Sequence, residues 1–132
     1  MIVYQDTKLT LDFFETDNIL FASWPGYENS DDFKSTMQAL SECLQVHTIT
    51  KLLMDARYYQ TTAAAATSWM GELLTKTFPK TKLQKIARLS FPEADLENAL
   101  QQVIALHKSA SEIDFDVATF YNLSDALNWL RS

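Results

Sequence analysis

The run Lys51-Leu52-Leu53-Met54-Asp55-Ala56-Arg57 constrains this chain more than any other stretch. Three successive apolar residues stop on an aspartate, and an arginine follows two residues later. A short apolar run without alternation is the pattern of a strand buried on both faces. The expectation is a central strand that delivers Asp55 and Arg57 to the carboxyl end of a sheet, where open α/β sheets place their ligands.

The flanking sequence supplies partners for that strand. Ile2 to Gln5 forms a short extended start. Leu9, Leu11 and Phe13 then alternate with polar residues, and Ile19, Phe21 and Ser23 alternate with Leu20, Ala22 and Trp24. Asp17-Asn18 between the two runs tolerates a tight turn, which predicts an antiparallel hairpin closed by Pro25-Gly26. Ser30 is placed to cap a helix, with Asp31 and Asp32 in its first turn, where the dipole favours negative charge. Phe33, Met37, Leu40 and Leu44 mark one face of that helix at helical spacing. Thr61 or Thr62 caps a second helix carrying Ala66, Trp69, Met70 and Leu73 inward, with Phe78-Pro79 after its end. Leu83 to Phe91 is a further strand, closed by Pro92. Leu96, Leu100, Val103 and the pair Ala105-Leu106 outline a third helix, Val117 to Tyr121 a last strand, and Asn122 or Ser124 caps a final helix with Ala126, Leu127 and Leu130. A hairpin followed by alternating helices and strands predicts an α/β domain with a mostly parallel sheet flanked by about four helices. At 132 residues, and without linker or repeat, the chain reads as a single domain spanning 1–132.

No apolar run approaches the roughly 20 residues of a membrane span. The segment Met1 to Asp12 lacks the basic-apolar-small order of a signal peptide. Cys43 is the one cysteine, so no internal disulfide forms. A cytoplasmic protein is expected. Its formal charge of −6 argues against nucleic acid as a partner. Lys76, Lys80, Lys82, Lys85 and Arg88 nevertheless fall within thirteen residues that hold no Asp or Glu. This +5 stretch is either a solvated strand entrance or a docking patch for an acidic partner.

Three local features resemble the SpoIIAA-like family, which is related to STAS domains (anti-sigma-factor antagonists) and to lipid-binding SEC14 domains. They are Trp24-Pro25-Gly26-Tyr27 leading into a capped helix, the apolar strand ending Met54-Asp55-Ala56-Arg57, and the closing helix Asn122-Leu123-Ser124-Asp125-Ala126-Leu127-Asn128-Trp129-Leu130. The resemblance runs over nearly the whole chain and implies a STAS-like domain without catalytic machinery. In true antagonists of this kind an Asp-Ser-Ser-Gly-like segment opens the helix after the Asp-bearing strand, and phosphate on its serine switches partner binding. Here Ala63 stands eight residues beyond Asp55, within Thr61-Thr62-Ala63-Ala64-Ala65-Ala66-Thr67-Ser68, so that switch does not carry over. Thr61 and Thr62 remain as hydroxyls either for capping or for phosphorylation at a helix start.

Other chemistry finds little support. The two glycines, Gly26 and Gly71, cannot build a phosphate-binding loop, and a nucleophile elbow is missing. His47 and His107 lie at predicted helix C-termini, where imidazolium complements the dipole. Cys43 and His47 share a helix face, but zinc needs three or four protein ligands and the sequence supplies no others nearby. No catalytic residue, cofactor or metal is expected. Asp55 and Arg57 are either a structural ion pair or a binding site. Trp24, Tyr27, Tyr58 and Tyr59 are either core aromatics or a contact surface, since such rings favour interfaces.

The leading expectation is a non-enzymatic STAS-like module that binds a protein partner, with a homodimer as one form of association. The alternative is a carrier of a small apolar ligand or lipid held between helix and sheet, lined by Phe13-Phe14, Phe21 and the Met37 face.

Overall fold

The computed structural model describes residues 1–24, 30–55, 57, 63–90, 94–110 and 113–132. The strand ends expected at Pro25, Gly26, Phe91 and Pro92 and the caps expected at Thr61 and Thr62 lie outside these residues. So do the side chains of Ser30, Asp31, Asp32, Phe33, Ala66 and Leu96.

Six strands form one sheet: β1 (Ile2–Gln5), β2 (Thr10–Phe14), β3 (Ile19–Ser23), β4 (Lys51–Asp55), β5 (Lys85–Leu89) and β6 (Asp116–Phe120). They lie side by side in chain order. The first three pair antiparallel and the rest run parallel from β3 onward. Helices α1 (Ser30–Val46), α2 (Ala63–Glu72) and α3 (Ala94–Ser109) make the crossovers, and α4 (Leu123–Arg131) closes the fold. The expected α/β architecture is the one observed.

Alternation along β4 divides the interior into two cores. Leu52 and Met54 join Leu20, Ala22, Ile86 and the apolar faces of α1, α2 and α3, among them Leu40, Leu44, Met70 and Leu100. Leu53 faces the opposite way, with Ile19, Ala87 and Leu89, against Ala126 and Leu130 of α4. One face of the sheet therefore carries three helices and the other carries a single helix.

Two differences from the sequence pattern have local causes. The helical path does not end before Phe78-Pro79. It widens into a π-helical turn at Leu73–Thr77 and tightens into a 3-10 turn at Phe78–Lys80. Proline fits there because the first positions of a helical turn need no backbone donor. Among the described side chains of α3 the buried ones are Leu100 and Ile104, whereas Leu106 is 66% exposed.

Specific polar contacts fix the ends of elements. Asn122 caps α4 through its Oδ1, which accepts from the Asp125 amide at 2.9 Å. Lys85 Nζ donates to the carbonyls of Trp129 and Ser132 at 3.1 and 2.8 Å and lies 5.3 Å from the Trp129 ring centroid. A cation at a helix C-terminus is favoured by the dipole, so this lysine pins α4 to the sheet.

Asn18 joins the antiparallel and parallel halves. It adopts φ 55°, the left-handed region that asparagine tolerates. Its side chain donates to Thr48 O and accepts from the Thr50 amide, both at 2.9 Å, across to the segment that leads into β4. Asn18→Ala should lose both bonds and strain the backbone, costing about 2–3 kcal/mol. Asn18→Gly should lose the bonds alone and be milder by about 1 kcal/mol. Equilibrium urea unfolding of the two variants checks this, and equal losses would show that the backbone conformation contributes nothing.

Candidate functional site

The carboxyl end of β4 is built from residues of three neighbouring strands. Asp55 aligns with Ser23 of β3 and Leu89 of β5 in the parallel ladder. The Trp24 amide extends that ladder by donating to Asp55 O at 3.2 Å. Flanking strands and two-sided packing leave Asp55 only 7% exposed.

A carboxylate this buried needs a partner, and Arg57 provides it. Arg57 Nε donates to Asp55 Oδ1 and Nη2 to Oδ2, each at 2.9 Å, while the Arg57 amide donates to Oδ1 at 3.2 Å. This bidentate geometry is the strong form of a carboxylate–guanidinium pair. Both carboxylate oxygens are engaged from within the same turn, so Asp55 is held as an anchor for the chain leaving β4.

Trp24 was expected as one candidate contact ring, and the structure places it in the core at 1% exposure. Its indole Nε1 donates to Thr36 Oγ1 at 3.4 Å, and its ring meets Trp69 edge-on, 5.8 Å between centroids. The reason is register: Trp24 continues the face of Leu20 and Ala22, which points at the helices. Trp69 in turn directs its Nε1 at Met37 Sδ, 3.3 Å away. Tyr27, Tyr58, Tyr59, Thr61 and Thr62 lie outside the described residues.

Arg88 is the site residue that charge counting placed wrongly. It is 7% exposed, on the helix-covered face of β5, and its Nη1 donates to Thr119 Oγ1 of β6 at 2.8 Å. Gln101 of α3 reaches the same oxygen at 2.8 Å. The signal was available, because Arg88 shares the period-two face of Ile86. Between Arg88, Met54, Trp69, Leu89 and Ser90 there remains a cavity of about 20 Å³, room for a single water.

The five basic residues between Lys76 and Arg88 do not gather into one patch. Arg88 is internal, Lys85 holds α4, and Lys76 lies 3.5 Å from Glu72 one helical turn away. Lys80 and Lys82 remain exposed, beside His47, on an open groove of about 370 Å³.

Cys43 is half-buried, and burial pushes its thiol up from its ordinary pKa, which favours the unreactive protonated form. His47 packs against Phe13, 5.8 Å between centroids, and His107 lies in the last turn of α3. Among the described residues no three His, Cys, Asp or Glu gather in an arrangement that could hold a metal ion. The residues suggested as lining a carrier pocket are also separated. Phe13 and Met37 pack against the three-helix core, whereas Phe21 packs against the α4 core and Phe14 is 45% exposed. Phe13 and Phe14 are adjacent on one strand and so point to opposite faces.

With this geometry in view, two solved structures are similar over almost the full length of the chain. An anti-sigma factor antagonist from Mycobacterium paratuberculosis aligns with a TM-score of 0.60 at 14% identity, covering 98% of this chain and 100% of that one. An uncharacterized protein from the DUF3478 family, from Shewanella loihica, aligns with a TM-score of 0.55 at 15% identity, covering 98% and 99%. The latter is described as having a SpoIIAA-like fold, and that is the fold of this chain. No protein-family model matches the sequence, and no curated protein matches it. Among the described residues no helix is long and apolar enough to cross a membrane.

Two predictions come from these contacts. Arg57→Ala should strand a largely buried carboxylate and cost about 1–2 kcal/mol, the partial exposure of Arg57 limiting the loss. Arg57→Lys should recover only part of it, because a point charge cannot make the bidentate pair. Chemical denaturation of both variants reads this, and full recovery by lysine would rule out the fork as the source.

The second concerns Asp6. The Tyr4 hydroxyl, donating to Asp6 Oδ2 at 2.6 Å, holds the Asp6 carboxyl below its ordinary value of 3.8, and the amides of Lys8 and Leu9 assist. A lowered folded-state pKa gives stability that is present above the unfolded value and lost as pH falls through the folded one. Wild type should therefore exceed Asp6→Asn in stability at neutral pH, and the gap should close as pH drops below 3.8. A gap independent of pH in thermal unfolding would exclude the carboxylate charge as its cause.

Proposed function

We propose that the chain is a regulatory protein-interaction module that works by binding and not by catalysis. The observation that carries this reading is the bidentate Asp55–Arg57 pair at the carboxyl end of β4. At the end of the sheet where α/β proteins place their ligands, the described residues engage both oxygens of Asp55 with Arg57, set Trp24 against Trp69, and leave a space for one water beside Arg88. The shared fold with an anti-sigma factor antagonist supports the same class of action. The contact surface is then carried by residues around this end, with Arg57, Tyr27, Tyr58 and Tyr59 as its candidates and association with a second copy as one form. The split of Phe13 from Phe21 between two cores weighs against the carrier alternative.

Native mass spectrometry of the freshly purified protein, beside a denaturing run, tests the reading. The expected result is a clean mass for the chain or its oligomer in both. A mass excess that disappears on denaturation would overturn it in favour of a carrier. Replacing Tyr58 and Tyr59 together by alanine should weaken complexes trapped by cross-linking about tenfold, with the unfolding midpoint unchanged.

A further inference from the structure

The two indoles of the Trp24–Trp69 contact are tied to one short stretch of α1. Trp24 follows β3 and Trp69 lies in α2, yet their N–H groups reach consecutive residues of α1. Trp24 Nε1 donates to Thr36 Oγ1 at 3.4 Å, and Trp69 Nε1 donates to Met37 Sδ at 3.3 Å. Strand, α1 and α2 thus meet at a pair of rings set edge-on, 5.8 Å between centroids. A buried indole N–H is costly to leave unpaired, so each bond helps to hold α1 over the sheet.

The two acceptors differ in chemistry. Thr36 is buried, and its hydroxyl is no target for peroxide. Met37 is half-buried at the margin of the three-helix core, and its thioether is a weak acceptor that peroxides oxidise. The other sulfur groups are placed differently. Met54 and Met70 are 2% and 1% exposed, and Met1 is exposed with its amino group on Asp12 of β2. Burial keeps the Cys43 thiol in the protonated, slowly reacting form. Met37 combines access from solvent with a bond to a buried ring.

Oxidation at this position reaches the core. The thioether sulfur attacks one peroxide oxygen, an S–O bond forms as the O–O bond breaks, and the second oxygen leaves as water. Sulfur loses two electrons and the peroxide gains them. The product is a polar, chiral group larger than the thioether, and its oxygen has two places to go. Between sulfur and indole it takes over the Trp69 N–H and pushes α1 away from α2. Toward solvent it swings the sulfur off the indole and removes that acceptor. Either placement alters the support that α1 gives to the Trp24–Trp69 pair.

We propose that Met37 is a redox-sensitive modification site, at which a peroxide forms the sulfoxide and loosens α1 from the Trp24–Trp69 pair, and at which reduction of the sulfoxide restores the contact. The proposal does not depend on the interaction reading above, and its test reads the folded chain alone.

The test exposes the full chain to hydrogen peroxide and follows oxygen uptake at each methionine by mass mapping, beside tryptophan emission. Met37 should react about tenfold or more faster than Met54 and Met70, which an opening of the core must first uncover. Emission should change with the rate constant of Met37 oxidation and not with that of Met1. The oxidised chain should stay folded, with a thermal midpoint lowered by roughly 3–5 °C as the sulfur–aromatic contact is lost. Methionine sulfoxide reductases of both stereospecificities, supplied with a dithiol, should return mass, emission and midpoint to their starting values. Met37→Leu keeps the apolar volume and removes the sulfur, so it should fold, and its emission and midpoint should ignore peroxide. Met37 reacting no faster than Met54 and Met70, or emission and midpoint unaltered once it is oxidised, would overturn the proposal. So would a response that survives in Met37→Leu, or one that the reductases fail to reverse.

Discussion

Because Leu52 and Met54 leave β4 on one side while Leu53 and Asp55 leave it on the other, both faces of the sheet have to be covered, and the rest of the molecule answers that requirement unequally. Three crossover helices cover one face. The other depends on α4, nine residues long, whose buried contribution comes from Ala126 and Leu130. A helix this short is marginal in water on its own propensity. Its start is held by the local Asn122 cap, and its position is secured by two tertiary contacts, Lys85 beneath its last carbonyls and Arg131 Nε on Asp17 Oδ2 at 3.0 Å. That last contact reaches the β2–β3 turn, where Asn18 in turn reaches the approach to β4. The two halves of the sheet, antiparallel and parallel, are thus tied at the same end of the molecule.

The residues that sequence reasoning placed well are those governed by local rules. Asn122 at a helix start, Asn18 in a tight turn and the apolar run of β4 each follow from the conformational preferences of a few neighbouring residues. The residues it misplaced are those governed by the two-residue period of a strand. Counting charges between Lys76 and Arg88 ignores that Arg88 shares a sheet face with Ile86. Grouping Phe13 with Phe14 ignores that neighbours on a strand point apart, and offering Trp24 as a contact ring passes over its place on the face of Ala22. The pairing of Asp55 with Arg57 was legible as an alternative, since a carboxylate at a buried strand end demands a donor. Its bidentate closure was not, because it depends on the turn that follows β4.

Identity of 14–15% to two solved structures over nearly the full chain shows what this fold preserves. Packed interiors accept extensive exchange of apolar side chains when volume and patterning are kept, so topology outlasts sequence. Function is carried by placed groups and does not travel with topology in the same way. What the chain shares with an anti-sigma factor antagonist is the scaffold, and its own surface decides what the scaffold meets.

Edge strands sharpen that distinction. An open sheet always ends in two rows of backbone groups, and proteins ordinarily blunt them with irregular register, charge or proline. Irregular register blunts β1. On β6 the one charged side chain, Asp116, is drawn to Lys108 at the end of the strand, and Val117 to Phe120 carry none. A regular, uncharged edge that faced bulk solvent on all sides would be an aggregation hazard. This edge lies along a groove lined by Ile104 and Ala105 of α3 and Trp129 of α4.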